Sequence, residues 1–360
     1  MHSDTLKSRK SFSDFGARPL SQKATIHDVA HHARVSVSSV SRALNNYPHV
    51  SDALKMRVVE AAEELDYQPA FLAHSLRRGE TNSIGFLVGS IANPVISTIY
   101  EAAAEALATN GYAVTLVSSR NQADLDIVCL RLLASRQVSG LIVSSASESP
   151  EPSRRFIQEA NIPTVMLDRA PVEGERVYAV QSDHESSIRK AVRHLVANGH
   201  RHIGFIGGPQ GFYPTQQRFR AYQEALAEAG IPARDDLIRF APFTETDAFA
   251  EALLLMRNRP LPTALIVAGN IILIGALGAL QDCQLRVGRD IALVACDDIH
   301  LTQLYRPPVT AIRRDLNLLG KTAARLLLQG IANYGNRTDR VIKLPTELVI
   351  RESSDYLCDA

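Results

Sequence analysis

The chain has 360 residues and a formal net charge of +1, and 46% of its residues are hydrophobic. At about 150 residues per domain, this length predicts two or three domains with cores large enough to need no disulfide or metal. The near-neutral charge excludes a polycation or polyanion, so any basic patch must be local. The four cysteines, Cys129, Cys283, Cys296 and Cys358, form no CxxC pair. Their spacing argues against a zinc site or a disulfide framework and favours a reducing, cytoplasmic location.

Two segments bear on targeting. Residues 1–23 are polar and lack the apolar region of a secretory signal, so we expect a disordered leader. Residues 264–280 are apolar except for Asn270, but they are fewer than the roughly 20 residues that a membrane span needs. A buried strand over 264–268, a turn at Gly269 and a buried helix fit this segment better than a membrane span.

Residues 24–68 have the pattern of three short helices around one small core. Thr25 and Asp28 form a capping box, in which the hydroxyl takes one backbone amide while the carboxylate takes another. Ser36 can cap the second helix after a tight turn, and Ser51 can cap the third. Apolar residues follow each cap at helical spacing.

From Ser83 onward, short β-branched runs alternate with helical stretches. This alternation predicts parallel sheets covered on both faces by helices. The predicted strands are 84–88, 113–117, 141–144, 164–167, 202–206, 264–268 and 291–295.

An internal repeat indicates that this α/β region is duplicated. The tripeptide at 84–86 recurs at 203–205, and the one at 105–107 recurs at 224–226, both with an offset of 119 residues. Two copies of one α/β unit predict two facing lobes. The cleft between such lobes, at the carboxyl ends of the strands, is where small ligands bind.

The first two helices of residues 24–68 have the pattern of a helix-turn-helix. In that motif the second helix enters the major groove of DNA and its early residues reach the base edges. Val37, Ser38, Ser39 and Arg42 lie on the early and outer parts of this helix, and Arg42 can make a bidentate contact to guanine. A helical hairpin with a hydroxyl-rich surface is the alternative.

An ordered series of motifs resembles the lactose/galactose repressor (LacI/GalR) family over about residues 24–352. The series begins with Thr25-Ile26-x-Asp28-Val29-Ala30 and Val40-Ser41-Arg42-x-Leu44-Asn45 and continues with Tyr67-x-Pro69, Asn93-Pro94, Leu167-Asp168-Arg169, His194-Leu195-x-x-x-Gly199-His200-Arg201, Asp297-Asp298 and Pro307-Pro308.

The resemblance implies a fold and a domain order. After the leader, an all-α helix-turn-helix head (24–68) and a hinge helix with linker (69–81) are followed by two α/β lobes like those of periplasmic binding proteins. The chain is expected to cross between the lobes three times. The expected first lobe is 82–180 with 311–338, the second is 181–310 with 339–352, and 353–360 is a tail.

The resemblance also implies partners. These are double-stranded DNA with a pseudo-palindromic operator, a second copy of the chain in a homodimer, and a small-molecule effector; no membrane and no metal are expected. The C-terminal tail carries no leucine heptads that would form a coiled-coil tetramer.

The resemblance implies site residues wherever a position of this sequence matches a motif of the family. The expected DNA-binding residues are Thr25, Ser36, Val37, Ser38, Ser39, Arg42, Asn45 and Leu76. Leu76 would wedge into the minor groove and kink the duplex, whereas an ordinary linker would pack it on the core. Arg34 stands at a turn position where the family usually has Gly or Asn. If the backbone of Arg34 is left-handed, its side chain costs about 1 kcal/mol.

The expected ligand-binding residues are Ile96, Asp168, Arg218, Phe243 and Asn270. Asp168 could instead cap a strand end, and Phe243 could belong to the core. Asn270 stands where family members commonly have Asp, and the lost charge favours a sugar or sugar acid over a purine.

The sequence contains no complete enzyme motif. Gly320-Lys321-Thr322 resembles a phosphate-binding loop, but Asp315 stands where a Gly is required, and HExxH, GxSxG and GxGxxG do not occur. His194, His200 and His202 are expected to be surface histidines. The sequence therefore predicts no enzyme and no cofactor beyond the effector. A transporter's solute-binding protein or an α/β metabolic enzyme would share the lobes but not the helical head.

Overall fold

The computed structural model describes residues 24–44, 47, 50–65, 67, 81–145, 151–332 and 340–355. The chain divides into two compact units, Met1–Arg78 and Gly79–Ala360, which we describe separately. Asn45, Leu76, the expected hinge helix and the leader lie outside the described residues.

The first unit contains the three predicted helices, α1 (Ile26–His32), α2 (Val37–Leu44) and α3 (Asp52–Glu64). The capping box at Thr25 is confirmed, because its side chain accepts from the Asp28 amide while Asp28 accepts from the Thr25 amide. Ser51 caps α3 as predicted. Small apolar side chains, among them Val29, Val40 and Val58, form the shared core.

Arg34, between α1 and α2, has a left-handed backbone with φ of 53°. Its amide donates to the His31 carbonyl, which holds the turn. A side chain at this conformation costs about 1 kcal/mol relative to glycine, and the strain predicted from the sequence is therefore present.

The second unit contains two six-stranded sheets with the same layout. The first has the order β11-β5-β4-β3-β1-β2 and the second β12-β10-β9-β8-β6-β7. The strands are β1 (Ser83–Val88), β2 (Ala113–Ser118), β3 (Gly140–Ser144), β4 (Thr164–Leu167), β5 (Val177–Ser182), β6 (Ile203–Gly207), β7 (Ile238–Phe240), β8 (Ala264–Ala268), β9 (Ala292–Cys296), β10 (Thr310–Arg314), β11 (Val341–Leu344) and β12 (Thr346–Val349).

Helices cover both sheets. They are α4 (Pro94–Ala108), α5 (Ala123–Ser135), α6 (Glu151–Glu159), α7 (His184–Ala197), α8 (Tyr213–Glu228), α9 (Glu245–Leu255), α10 (Asn270–Asp282), α11 (His300–Leu304) and α12 (Leu316–Ala332). All pairings are parallel except that of β10 with β12.

The predicted strands and the predicted duplication are confirmed. Each of the seven predicted strands is present with ends within about one residue of the prediction. The tripeptides at 84–86 and 203–205 lie in β1 and β6, which take equivalent places in the two sheets, and those at 105–107 and 224–226 lie in α4 and α8. A Cβ on Gly85 would lie 2.8 Å from methyl groups of Leu133 and Leu141, so a side chain there would require these leucines to shift.

The chain passes between the lobes three times, after β5, β10 and β11, but two of the predicted boundaries are wrong. β10 pairs with β9 and β12, so residues 311–314 belong to the second sheet and not to the first. β11 pairs with β5, so residues 341–344 belong to the first sheet. The first lobe is therefore residues 81–182 with 316–344, and the second is residues 184–314 with 346–355.

The start of the expected tail is part of the second lobe. Ser353 and Ser354 are fully buried. Ser353 Oγ donates to the Leu293 carbonyl and accepts from the Thr310 amide, which ties the chain end to β9 and β10. The sequence did not indicate this, because two serines after a glutamate carry no strand or helix pattern.

Among the described residues, no helix is long and apolar enough to cross a membrane. The apolar segment 264–280 forms the buried strand β8 and then α10, as predicted.

Candidate functional site

A cavity of about 350 Å³ lies between the two lobes. It is bounded by chain that follows the carboxyl ends of strands in both sheets, where parallel sheets place their ligand-binding loops. Asn93 follows β1, Asp168 follows β4, Phe212 lies between β6 and α8, Asn270 follows β8, and Asp297 follows β9.

The five residues expected to bind ligand all line this cavity: Ile96, Asp168, Arg218, Phe243 and Asn270. They come from five different loops and helices of the two lobes, so only the tertiary fold could assemble them. Their contact with a ligand stays a prediction.

The Asp168 carboxylate is buried and occupied by protein donors. It accepts from the Ser182 amide at 2.7 Å and from Arg314 Nη1 at 2.5 Å, and Ser182 Oγ lies 3.3 Å away. Burial raises the pKa of this carboxyl, but the nearby His184 and Arg314 outweigh that effect and the pKa is lowered. Asp168 therefore remains ionised, and its carboxylate holds Arg314 and the end of β5.

Arg314, at the end of β10, joins carboxylates of both lobes. Its Nη1 binds Asp168 of the first lobe, while Nε and Nη2 lie 2.8 and 2.6 Å from Asp297 Oδ1 of the second lobe. Burial raises the pKa of Asp297, but the nearby Arg314 and Arg218 outweigh burial, so the pKa is lowered. Both aspartates are thus charged and balanced by guanidinium groups.

Arg218, on α8, keeps hydrogen-bonding capacity for a ligand. Its Nη1 donates to the Ala268 carbonyl at 3.0 Å, while Nη2 is 3.9 Å from Asp297, which is beyond hydrogen-bond distance. A guanidinium held by one backbone carbonyl and facing a cavity can bind a carboxylate, a phosphate or a vicinal diol.

His184 begins α7 directly behind this cluster. Its Nε2 lies 3.3 Å from Asp168 Oδ1 but is not in hydrogen-bond geometry. Burial lowers the pKa of His184 to about 4, against the opposing attraction of Asp168. The imidazole is therefore neutral at neutral pH and adds no charge to the cavity.

Asn270 and Asn93 meet across the cavity. Asn270 Nδ2 donates to Asn93 Oδ1 at 2.8 Å, and the same oxygen accepts from the Val95 amide to cap α4. This contact joins the first turns of α4 and α10, one from each lobe. Asn270 Oδ1 and Asn93 Nδ2 can still bind a ligand that donates and accepts hydrogen bonds.

Aromatic rings form one wall of the cavity. Phe212 and Phe243 meet edge to face with their centroids 4.9 Å apart. The Arg169 guanidinium of the first lobe lies 4.4 Å from the centre of the Phe212 ring, at cation–π distance. Tyr213 Oη also donates to Gln181 Oε1 across the lobes at 3.1 Å.

The cavity residues that were not predicted include Asn93, Arg169, Phe212, Asp297 and Arg314. Asn93 and Asp297 lie in dipeptides that carry the family resemblance, so a signal for them was present. Arg314 follows another arginine at the end of a strand. Nothing in its sequence context indicates that it turns into the cleft.

The predicted DNA-binding residues that the structure describes lie at the start of α1, in the turn before α2 and on α2. Thr25, Ser36, Ser38 and Arg42 are exposed, whereas Val37 and Ser39 are half-buried. Ser36 Oγ is 2.8 Å from both Ser38 Oγ and Ser39 Oγ and accepts from the Ser39 amide, so it caps α2 as predicted. Their contact with DNA stays a prediction, and Asn45 and Leu76 lie outside the described residues.

The histidine prediction needs one correction. His200 is buried rather than at the surface, and its Nδ1 is 3.1 Å from Thr263 Oγ1. The described residues contain no group of three or more His, Cys, Asp or Glu placed to hold a metal ion.

Comparison with known proteins places this fold and site in a family. Residues 25–70 match the model of bacterial regulatory proteins of the lacI family, and residues 192–354 match a periplasmic binding protein-like domain. The HTH-type transcriptional repressor PurR of Mannheimia succiniciproducens is 32% identical over 333 residues, which cover 92% of this chain and 98% of that protein. PurR of Yersinia pestis is 32% identical over 332 residues, covering 92% and 96%.

Solved structures of transcriptional regulators are also similar to this chain. The lac repressor dimer bound to operator and the anti-inducer ONPF has a TM-score of 0.82 at 29% identity, covering 94% of this chain and 100% of that one. A complex of the transcriptional regulator CelR with cellobiose has a TM-score of 0.69 at 29% identity, covering 92% and 99%. The chain belongs to the lacI family of bacterial regulatory proteins. It is a DNA-binding repressor with an effector-binding domain, in a family of regulators and not of enzymes.

Proposed function

We propose that this repressor binds a pseudo-palindromic operator as a homodimer and that a sugar or sugar acid, bound in the interlobe cavity, controls its affinity for DNA. The protein acts in the cytoplasm, where the chromosome is. The observation that carries the effector proposal is the cavity itself, which has polar groups from both lobes on its walls.

The polar groups in the cavity suit a polyhydroxylated molecule. Asn93 and Asn270 together offer one donor group and one acceptor, and Arg218 offers further donors. Phe212 and Phe243 supply an apolar wall for the carbon face of a sugar ring. A ligand that pairs with these groups avoids the cost of about 1–3 kcal/mol for each buried polar group left without a partner.

The DNA proposal rests on the exposed residues of α1 and α2. Arg42 is exposed in the last turn of α2, where a guanidinium can reach the edge of a guanine. Thr25, Ser36, Val37, Ser38, Ser39 and Asn45 are proposed to contact bases or phosphates, and Leu76 to insert into the minor groove. Two heads related by a two-fold axis require a site with matching symmetry.

Control by the effector follows from linkage. A ligand that contacts both lobes favours one arrangement of the lobes over another. If operator DNA also distinguishes these arrangements, each ligand changes the affinity of the other by the same factor.

The test combines two measurements on the full chain. A thermal-shift panel of sugars, sugar acids, phosphorylated sugars and nucleobases identifies compounds that raise the Tm, and each such compound is added to a gel shift with the operator selected from a random library. We expect at least one sugar or sugar acid to raise the Tm and to change operator retention. A panel in which only nucleobases act would contradict the effector class, and failure to select any operator would contradict the DNA proposal.

A further inference from the structure

Gly208 directly follows β6, and the Phe243 ring lies against it. A Cβ on Gly208 would be 2.5 Å from both Cε1 and Cζ of Phe243, a distance at which one of the two groups must move. It would also lie 3.1 Å from Oγ1 of the buried Thr215. The backbone of Gly208 is not left-handed, so an alanine at this position is opposed by the ring and not by backbone strain.

The cavity is the open side of the Phe243 ring. Phe212 meets this ring edge to face with the centroids 4.9 Å apart, and the hydrophobic core of the second lobe packs against it. The half-buried ring also lines the cavity. Because a protein core is close-packed, a side chain at position 208 moves the ring towards the cavity rather than into the core.

The two lobes present different chemistry to a ligand at equivalent positions. Gly89 lies 119 residues before Gly208, which is the offset of the internal repeat, and it lines the cavity itself. Asn93 and Phe212, separated by the same offset, are the N-cap residues of α4 and α8. The first lobe therefore meets the ligand with the amide of Asn93, whereas the second meets it with Phe212 and, over Gly208, with Phe243.

An aromatic wall of this kind favours a ligand that is itself a ring. A pyranose, the six-membered ring form of a sugar, carries C–H groups on its faces and hydroxyl groups around its edge. It can lie with a face on Phe243 while its hydroxyl groups reach Asn93 and Arg218. An open-chain polyol of the same composition must fix several rotatable bonds to present the same surface, which lowers its affinity.

We propose that Gly208 is a positioning residue for the effector. Because it has no side chain, the Phe243 ring lies back against the main chain and leaves room for a pyranose in the cavity. This inference rests on the proposed function, since it concerns the effector of the same cavity. It adds that the cavity selects the ring form of a sugar or sugar acid over the open-chain polyol, and that Gly208 sets this preference through Phe243.

The experiment compares each cyclic compound with the open-chain compound made by reducing it. The pairs are glucose with sorbitol, galactose with galactitol, glucuronate with gulonate, and galacturonate with galactonate. The members of a pair differ by two hydrogen atoms and carry the same charge, so the comparison does not depend on the charge of the cavity. The Tm of the full chain is measured with each compound, Kd values are taken by calorimetry for the pair with the largest shift, and a gel shift with the selected operator shows whether the same compound changes operator retention.

Four variants test the role of Gly208. Gly208→Ala displaces the ring, and Phe243→Leu removes the Cε1 and Cζ atoms that a Cβ at position 208 would meet. The double variant combines the two changes. Gly211→Ala is the matched control, because Gly211 belongs to the same loop between β6 and α8 and a Cβ there meets no atom within 4 Å. Circular dichroism establishes that each variant is folded.

In the wild type we expect at least one pyranose to raise the Tm more than its open-chain partner. Gly208→Ala should weaken binding of that pyranose about tenfold and reduce its advantage over the partner, because a rigid ring cannot avoid the displaced Phe243. Phe243→Leu should also weaken binding. The double variant should bind the pyranose as Phe243→Leu does, since alanine at position 208 acts only through the aromatic ring. Gly211→Ala should bind as the wild type.

If Gly208→Ala does not fold, the double variant decides, because the inference requires it to fold and to bind each compound as Phe243→Leu does. Wild-type affinity for the pyranose in folded Gly208→Ala, weaker binding by the double variant than by Phe243→Leu, or equal shifts with cyclic and open-chain compounds would overturn the inference.

The proposed function is judged separately, on the wild type. A sugar or sugar acid that raises the Tm and alters operator retention leaves the proposed function standing even where the variants overturn the inference. If every sugar, sugar acid and open-chain compound leaves both the Tm and operator retention of the wild type unchanged, the proposed effector class fails and the inference fails with it.

Discussion

Gly320 of α12 lies so close to Ile99 of α4 that a Cβ on Gly320 would be 2.4 Å from the Ile99 carbonyl oxygen. The two helices pack side by side on the first sheet, and the absence of a side chain at Gly320 allows this approach. The Gly-Lys-Thr sequence that resembles a phosphate-binding loop is therefore a helix contact.

This contact gives a stability prediction. Gly320→Ala should lower the free energy of unfolding by about 1–3 kcal/mol, because the added methyl group overpacks the interface between α4 and α12. Urea unfolding of the full chain measures it. Gly211→Ala is the control, since a Cβ there meets no atom within 4 Å; equal stability of the two variants would refute the packing argument.

Arg218→Ala should abolish the response to the effector and leave operator binding without effector intact. The variant removes donors that face the cavity and leaves every residue of the helix-turn-helix unchanged. A gel shift with and without the compound that most raises the wild-type Tm measures both properties. Arg220→Ala, on the exposed side of the same helix, is the control. A wild-type response in Arg218→Ala would show that the ligand lies elsewhere.

Arg42→Ala should lose about 1–3 kcal/mol of discrimination at one symmetric base pair of the operator, because a bidentate contact to guanine reads that base. Binding to a set of single-base operator variants measures this loss. Arg57→Ala, an exposed arginine of α3, serves as the comparison. Uniform weakening on every operator variant would mean that Arg42 contacts only phosphate.

Leu76→Ala should reduce the bend in the operator as well as the affinity, because an apolar wedge between base steps unstacks and kinks the duplex. The position is outside the described residues, so this prediction rests on the family resemblance. Circularly permuted operator fragments report the bend angle from gel mobility. A wild-type bend in the Leu76→Ala complex would exclude the wedge.

His184 should make the protein less stable in acid. Burial, together with Arg218 and Arg314, lowers its pKa in the folded state to about 4 from the ordinary 6.5, and Asp168 only partly opposes this. Between these values the unfolded chain binds a proton that the folded chain does not. The stabilisation is therefore complete above pH 6.5 and is lost as the pH falls towards 4, by up to about 3 kcal/mol.

Urea unfolding of the full chain at pH 7.0, 5.5 and 4.5 measures this loss. His184→Gln should show a smaller decrease than the wild type over that range. His27→Gln, at an exposed position of α1, should keep the wild-type decrease. Parallel pH profiles for wild type and His184→Gln would contradict the prediction.

The sequence by itself determined the elements that local signals specify. The capping box at Thr25, the cap at Ser51 and the seven β-branched runs each depend on residues a few positions apart, and all of them were predicted. The repeat between β1 and β6 further indicated two similar lobes. Ordered motifs also singled out five positions that the structure brings to one cavity.

Only the tertiary structure decided which sheet receives β10 and β11, because strand pairing joins residues that are far apart in the chain. β11 pairs with β5, more than 150 residues earlier, and nothing in its four residues identifies that partner. The same holds for Arg314. Its sequence context is an ordinary strand end, and only the meeting of Asp168 and Asp297 from two lobes makes it the floor of the cavity.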